Sequence, residues 1–392
     1  MWLAGALASQ LGDGALYFAL GWAASEISAT AAGLVLTGIT LPRTVLLLLG
    51  GAVGDRFGAR RVMIAGDAVM LAVAVLLGLL VVRLGTSLAL LLSVALVVGV
   101  VDAFYLPSAG SMPRRLVADA QLTRALALRQ SGSQLVSMAG GPLGGALVAV
   151  AGLAAVAWVD AATFLVVLIV LVLIRARPDS VSPVRSSSVL GDAVDGVRVA
   201  AGTPALRSTL LLVAGVAGFV IPGSSLLVPL LARDHGWSAT AAGVVVGAQS
   251  AGTLLASLVV ARIGGARRPG RAAAAASLLI ATGQCAVALT VTSWSAAVGA
   301  TAVGLGVGVF VGNLAPVLMG VAPRTHLARV QALLGLVQSG ALLISTNVLA
   351  GLAHAASPVT ATLVCATVVL GCAAVAALTP TLRGLRSAPR PA

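Results

Sequence analysis

Ser9, Asp13 and Tyr17 recur at intervals of four, so a helix through them sets all three on one face. Asp13 falls near the middle of an apolar run, where a charge costs about 2.5–3.5 kcal/mol on insertion scales. Such a residue needs a chemical reason, and proton uptake and release is one. Arg43 lies mid-way along the next apolar run, beside Pro42. The economical expectation is that Asp13 and Arg43 meet. Either Asp13 carries a proton while Arg43 holds its resting charge, or the two form a fixed structural ion pair. Asp102, with Tyr105 one turn away, is the second acidic candidate, and its plainer reading is an anchor near the interface. Asp160, just before Thr163 and Phe164, suits a structural hydrogen bond.

The elements that must carry these residues are membrane helices. The chain of 392 residues is 59% hydrophobic and only 9% charged, where a soluble domain carries about 25%. Apolar runs of about 20 residues recur throughout, each long enough to cross a hydrocarbon core of roughly 30 Å. In lipid the backbone must satisfy itself, which predicts helices, and the alternation of membrane strands is absent. Twelve spans are expected, at 3–24, 33–53, 62–82, 87–107, 127–150, 154–174, 208–231, 241–261, 272–292, 295–318, 330–352 and 358–378.

The net charge of +13 does not point to nucleic acid. All 24 basic residues are arginine, and all but Arg43, Arg83 and Arg233 fall in one alternate set of connections or in the tail. That asymmetry predicts both termini on the cytoplasmic side of the inner (plasma) membrane. The first run lacks a basic flank and continues into the multi-span pattern, so it does not read as a cleaved signal peptide. The three cysteines fall inside apolar runs without metal-ligand spacing. No metal, cofactor or enzyme signature is read, and without lysine no phosphate-binding P-loop exists.

The longest connection, 175–207, divides the chain into domains 1–174 and 208–378, followed by a tail, 379–392. A flexible segment and a short interfacial helix over 190–201 are expected within it. An internal repeat supports the division. Ser28-Ala29-Thr30-Ala31-Ala32-Gly33 returns as Ser238-Ala239-Thr240-Ala241-Ala242-Gly243. Gly58-Ala59-Arg60-Arg61 returns as Gly265-Ala266-Arg267-Arg268. The copies differ in chemistry, since Arg262 stands where the first half has Asp55, and Gly223 where it has Asp13.

Between spans 2 and 3 runs Gly51-Ala52-Val53-Gly54-Asp55-Arg56-Phe57-Gly58-Ala59-Arg60-Arg61. Gly54 and Gly58 allow the turn and close helix approach. Asp55 suits the N-terminus of another helix. The pattern G-x-x-x-D-R-x-G-x-R-R resembles the loop between helices 2 and 3 of the major facilitator superfamily of transporters. The resemblance implies twelve helices in two pseudo-symmetric six-helix bundles, an all-α membrane fold working by alternating access. It makes Gly51, Asp55, Arg56, Gly58, Arg61 and, early in span 3, Asp67 a cytoplasmic gate, with a partner near Thr325 to Val330. Gly141, Pro142, Gly144 and Gly145 resemble the core of the antiporter motif in drug-exporting members, although Leu128 and Ser137 replace its upstream glycines. With the residues around Asp13, Arg43 and Asp160, they resemble the drug–proton antiporter branch that includes macrolide and enterobactin exporters. That branch often has a basic residue where Met70 stands here.

Tyr17, Gln134, Ser224, Gln249, Asn313 and Gln338 are expected to line the substrate cavity; for Gln249, Asn313 and Gln338, hydrogen bonds between helices are an equal alternative. A largely apolar cavity with few acids fits a hydrophobic or amphiphilic compound better than a sugar or an anion. The expected function is proton-coupled export of such a compound, by a monomer in the lipid bilayer. A nutrient symporter and a non-transporting membrane sensor on the same fold are the alternatives.

Overall fold

The computed structural model describes residues 2–117, 119–173, 202–321 and 327–383. Serines open several helices. The Ser28 hydroxyl accepts from the Ala31 amide at 3.0 Å and opens α2 (Ala29–Phe57). Ser87 opens α4 (Leu88–Leu116) in the same way, and Ser357 opens α12 (Pro358–Leu378). The others are α1 (Trp2–Ile27), α3 (Ala59–Leu84), α5 (Asp119–Leu173), α6 (Pro204–Pro222), α7 (Val228–Asp234), α8 (Ala239–Ile263), α9 (Pro269–Leu289), α10 (Ser293–Val321), α11 (Leu327–Ala355) and α13 (Pro380–Arg383). Gly58, at φ 88°, ends α2 and starts α3 with no loop between them, a backbone conformation that favours glycine.

Ten stretches among the described residues are long and apolar enough to cross a membrane. One of them, Arg124–Leu173, has 50 residues, roughly 75 Å at 1.5 Å per residue, more than twice a hydrocarbon core. It holds two crossings. Gly152, at φ 73°, breaks α5. Before it, Gly132 lies against Leu7 and Gly144 against Ala15; after it, Asp160 lies against Gly12 and Val167 against Gly5. The two arms therefore run along α1 in opposite directions. The 26-residue α1, diluted by Ser9, Gln10 and Asp13, stands outside the ten but is long enough to span. The structure thus places spans 5 and 6, expected as separate helices, on one element reversed at a single glycine.

Two compact units emerge. The first comprises 1–185 with 238–247, and the second 186–237 with 248–392. In the first, α1 packs along α5 and α2 along α4. In the second, α9 packs on α10 and α12, and α11 on α6. A core around Leu212, Val216, Ile280, Phe310 and Val369 fills the second unit. Lipid tails are as apolar as leucine, so tight van der Waals packing at small residues holds such helices together. Gly50 on α2 lies against the Ala103 carbonyl of α4, and Gly304 on α10 against the Gln249 carbonyl of α8. Large apolar side chains cover the outside, Val150 at 88% and Leu173 at 74% exposure among them, as a lipid-facing surface requires.

Span 7 is interrupted. A π-helical turn, Gly223–Leu227, joins α6 to α7 directly after Pro222. The side-chain amide of Gln284, on α9, donates to the Phe219 carbonyl at 3.0 Å, satisfying an acceptor beside the turn. The 190–201 segment lies outside the described residues.

Candidate functional site

Pro42 has no N–H for the Gly38 carbonyl, four residues earlier in α2. A Cβ added to Gly99 of α4 would stand 3.0 Å from that carbonyl oxygen, and one added to Gly38 would stand 3.2 Å from the Ala95 side chain. The glycines thus let α2 and α4 meet closely, and the next turn of each helix brings two charges together. Arg43 Nη1 lies 3.8 Å from Asp102 Oδ2. The Tyr17 hydroxyl, from α1, donates to the same oxygen at 2.9 Å. Three helices converge on one carboxylate, whose side chain is 17% exposed against 32% for Arg43.

Arg43 therefore pairs with Asp102, and the expected pairing with Asp13 is replaced. Helical periodicity sets the face on which each residue lies, but not which helix a neighbour presents to it. Asp102 is a partnered member of the site, not a loose interfacial anchor. Asp13 is half-buried one turn before Tyr17 on α1, and Ser9 is buried. Asp160 is wholly buried. Its backbone carbonyl accepts from the Thr163 hydroxyl at 2.8 Å, while its Oδ2 meets no partner among the described residues. Gly12 leaves the room it occupies, since a Cβ there would strike both Asp160 and Thr163.

Asp67 is also wholly buried, and its carboxylate faces the Tyr105 hydroxyl of α4. The loop arginines make their described contacts elsewhere. Arg60 reaches the end of α5, where Nε donates to the Leu171 carbonyl at 2.9 Å and Nη2 to that of Val172 at 3.0 Å. Cationic donors suit a helix C-terminus, whose last carbonyls lack helical partners. Arg56 lies over the Phe57 ring at 5.7 Å, and Arg61 is exposed. The surroundings of Gly51, the Asp55 side chain and the Thr325 to Val330 contact lie outside what is described.

The antiporter-like core and the repeated hexapeptide meet inside the first unit. A Cβ on Gly145 would strike the Ala239 carbonyl, one on Gly243 would meet the Gly141 backbone, and one on Gly247 the ring of Pro142. Gly144 packs on Ala15 of α1. The glycines are steric necessities of helix approach. Chain order alone could not join two motifs separated by a long stretch of sequence.

In the second unit Asn313 serves as a clip. It is 5% exposed, and its side-chain oxygen accepts from the Ala266 amide at 2.6 Å, in the turn after α8. Its amide donates to the Val309 carbonyl at 2.8 Å. Of the two expectations for it, cavity lining or a hydrogen bond between helices, the hydrogen bond is the one formed. Asn313→Ala is expected to cost about 0.5–1.5 kcal/mol by removing that hydrogen bond. Lower thermal stability and faster proteolysis at Gly264–Arg268 would check it, and an unchanged melting curve would refute it. Gln134, Gln249 and Gln338 are half-buried; Ser224 donates to the Ile221 carbonyl at 3.1 Å. Gln284, passed over in the sequence, is the buried polar residue that reaches the π-turn. No group of three His, Cys, Asp or Glu residues among the described residues is placed to hold a metal ion.

The model of the Major Facilitator Superfamily matches residues 2–346. The chain belongs to the major facilitator superfamily. It is a multi-pass membrane protein of this transporter superfamily. Among curated relatives it is similar to the multidrug efflux pump Tap of Mycolicibacterium fortuitum, 27% identical over 265 residues. That match spans 64% of each chain, so less than two thirds of the relative is covered. Among solved structures it resembles a bacterial homologue of the human lysosomal transporter Spinster, inward-facing and occupied. The TM-score is 0.74, at 18% identity over 99% of this chain and 98% of that one. It also resembles the nucleoside transporter NupG, with a TM-score of 0.72 at 11% identity over 95% and 99% of the two chains. These likenesses establish the superfamily fold.

Proposed function

We propose that this transporter exports a small hydrophobic or amphiphilic compound in exchange for protons, as an antiporter working by alternating access. The convergence of Arg43 and Tyr17 on Asp102 carries the reading. A carboxyl group held in a span can take a proton and so cancel its charge, while arginine keeps its own at any accessible pH. Protonating Asp102 would release its hold on Arg43, a local change from which a two-state protein can draw a global one. Likeness to an efflux pump supports the outward direction. The gate motif of Gly51, Asp55, Arg56, Gly58 and Arg61 fits this cycle, as do two six-helix domains, 1–174 and 208–378. Both termini face the cytoplasm in this reading, and the protein acts as a monomer in the plasma membrane.

The test uses purified protein in proteoliposomes with an imposed pH gradient and a panel of lipophilic compounds. Export predicts compound movement against the proton flow, abolished by a protonophore. Movement in the same direction as protons would make it a symporter, and no movement with any compound would remove the transport coupling proposed here.

A further inference from the structure

The second copy of the repeated motif, Gly265-Ala266-Arg267-Arg268, lies in the second unit, away from Asp102. In the first copy Arg60 is engaged by the last carbonyls of α5. Its counterpart Arg267 is exposed, as is Arg262, which stands where the first half has Asp55. Neither side chain meets a hydrogen-bond or ion-pair partner among the described residues. Over 235–392 the chain carries no Asp or Glu, so no acid of that stretch can neutralise them.

Packing gathers further arginines beside these two. A Cβ on Gly270 of α9 would strike the Leu382 carbonyl, which sets α13, with Arg383, beside the start of α9, with Arg271. The hydroxyls of Ser208 and Thr381 lie 3.3 Å apart, which brings in Arg207 of α6. Leu382 is wholly buried and Asn313 ties down Ala266, so these backbones are anchored. Arg207, Arg262, Arg267, Arg268, Arg271 and Arg383 therefore share one end of the second unit, all exposed. Like charges held together repel, and an anion would relieve the repulsion. Two helix faces show where that end stands in a membrane. Leu211 follows Arg207 by one turn on α6, and Leu258 precedes Arg262 by one turn on α8. They are 64% and 58% exposed. Each face passes from bare leucine to arginine within about 6 Å, as hydrocarbon gives way to headgroups.

We infer that this end of the second unit binds the headgroup of an anionic phospholipid, with the acyl chains along the exposed leucines. Guanidinium groups match phosphate oxygens in pairs, and basic clusters flanking membrane helices draw acidic lipid. A zwitterionic lipid with the same chains would find the leucines without the net charge. A free phosphate would find the arginines without the leucines. Lipid binding of this kind needs no gradient, so it stands apart from proton coupling.

Native mass spectrometry of the purified full chain in neutral detergent tests it, by titration with dioleoyl phosphatidylglycerol or dioleoyl phosphatidylcholine. Arg267→Gln/Arg268→Gln/Arg271→Gln is expected to weaken phosphatidylglycerol about a hundredfold, near fivefold for each arginine, and to leave phosphatidylcholine unchanged. Lysine at the same three positions keeps the charge and should retain most of the binding. Arg56→Gln/Arg61→Gln/Arg83→Gln removes equal charge from exposed positions of the first unit and should change little. Gel filtration keeps misfolded variants out of the comparison. Equal losses in the two glutamine sets would reduce the effect to overall charge and overturn the inference, as would a lysine set as weak as its glutamine counterpart. Displacement of the lipid by inorganic phosphate, but not by chloride at matched ionic strength, would leave an anion site and overturn the lipid assignment.

Discussion

Proton-driven export is expected to fall about a hundredfold in Asp102→Asn. The substitution keeps the side chain's size and removes its ability to gain and lose a charge. It also leaves Arg43 unpaired within a span, at a cost of about 2.5–3.5 kcal/mol, which corresponds to a factor of roughly a hundred. Exchange of labelled for unlabelled compound without a gradient should survive, because it requires no net proton movement. Tyr17→Phe removes one hydrogen bond to the carboxylate and keeps the acid, so about a tenfold loss is expected, in line with a charged hydrogen bond of about 1.5–3 kcal/mol. Initial rates in proteoliposomes separate these cases. A wild-type rate in Asp102→Asn, beside an inactive Asp13→Asn, would return the coupling role to Asp13.

The second large effect is structural. Gly304→Val is expected to yield little folded protein, because its Cβ would enter the space of the Gln249 carbonyl. The obstacle is backbone, not the end of a flexible side chain, so α8 and α10 must separate along their contact. Overpacking costs about 1–3 kcal/mol where side chains can move, and more where they cannot. Gly50→Val should fail in the same way against Ala103. Gly371→Val is the control, since nothing lies within 4 Å of a Cβ there and the residue is exposed. Detergent-solubilised yield and melting temperature measure all three, and a normal melt for Gly304→Val would contradict the packing described.

What the residues disclosed in advance follows from their physics. Twelve apolar runs can be read from composition, because lipid forces helices on any chain that crosses it. The charge of Arg43 and the glycines of the loop could be read because each is costly or restrictive where it stands. The partner of Arg43 could not. Asp13 and Asp102 are both acids within spans, and only the approach of α2 to α4 at Gly38 and Gly99 decides between them. Asn313, read either as cavity lining or as a hydrogen bond between helices, takes the second role. A polar side chain in a span must bond to something, and the sequence does not show that the turn at Ala266 lies within its reach. Arg60 also read only as a loop charge until the end of α5 was seen beside it.

The reversal of α5 at Gly152 has a practical side. Because one residue turns the chain, no slack exists there to hold an epitope, a protease site or a fused reporter. Insertions are best tolerated at exposed tips with small or polar residues. The turn around Thr290 to Thr292, between α9 and α10, is exposed and offers a better position for such a label. A tag placed at Gly152 would instead have to push apart two helices that both rest on α1.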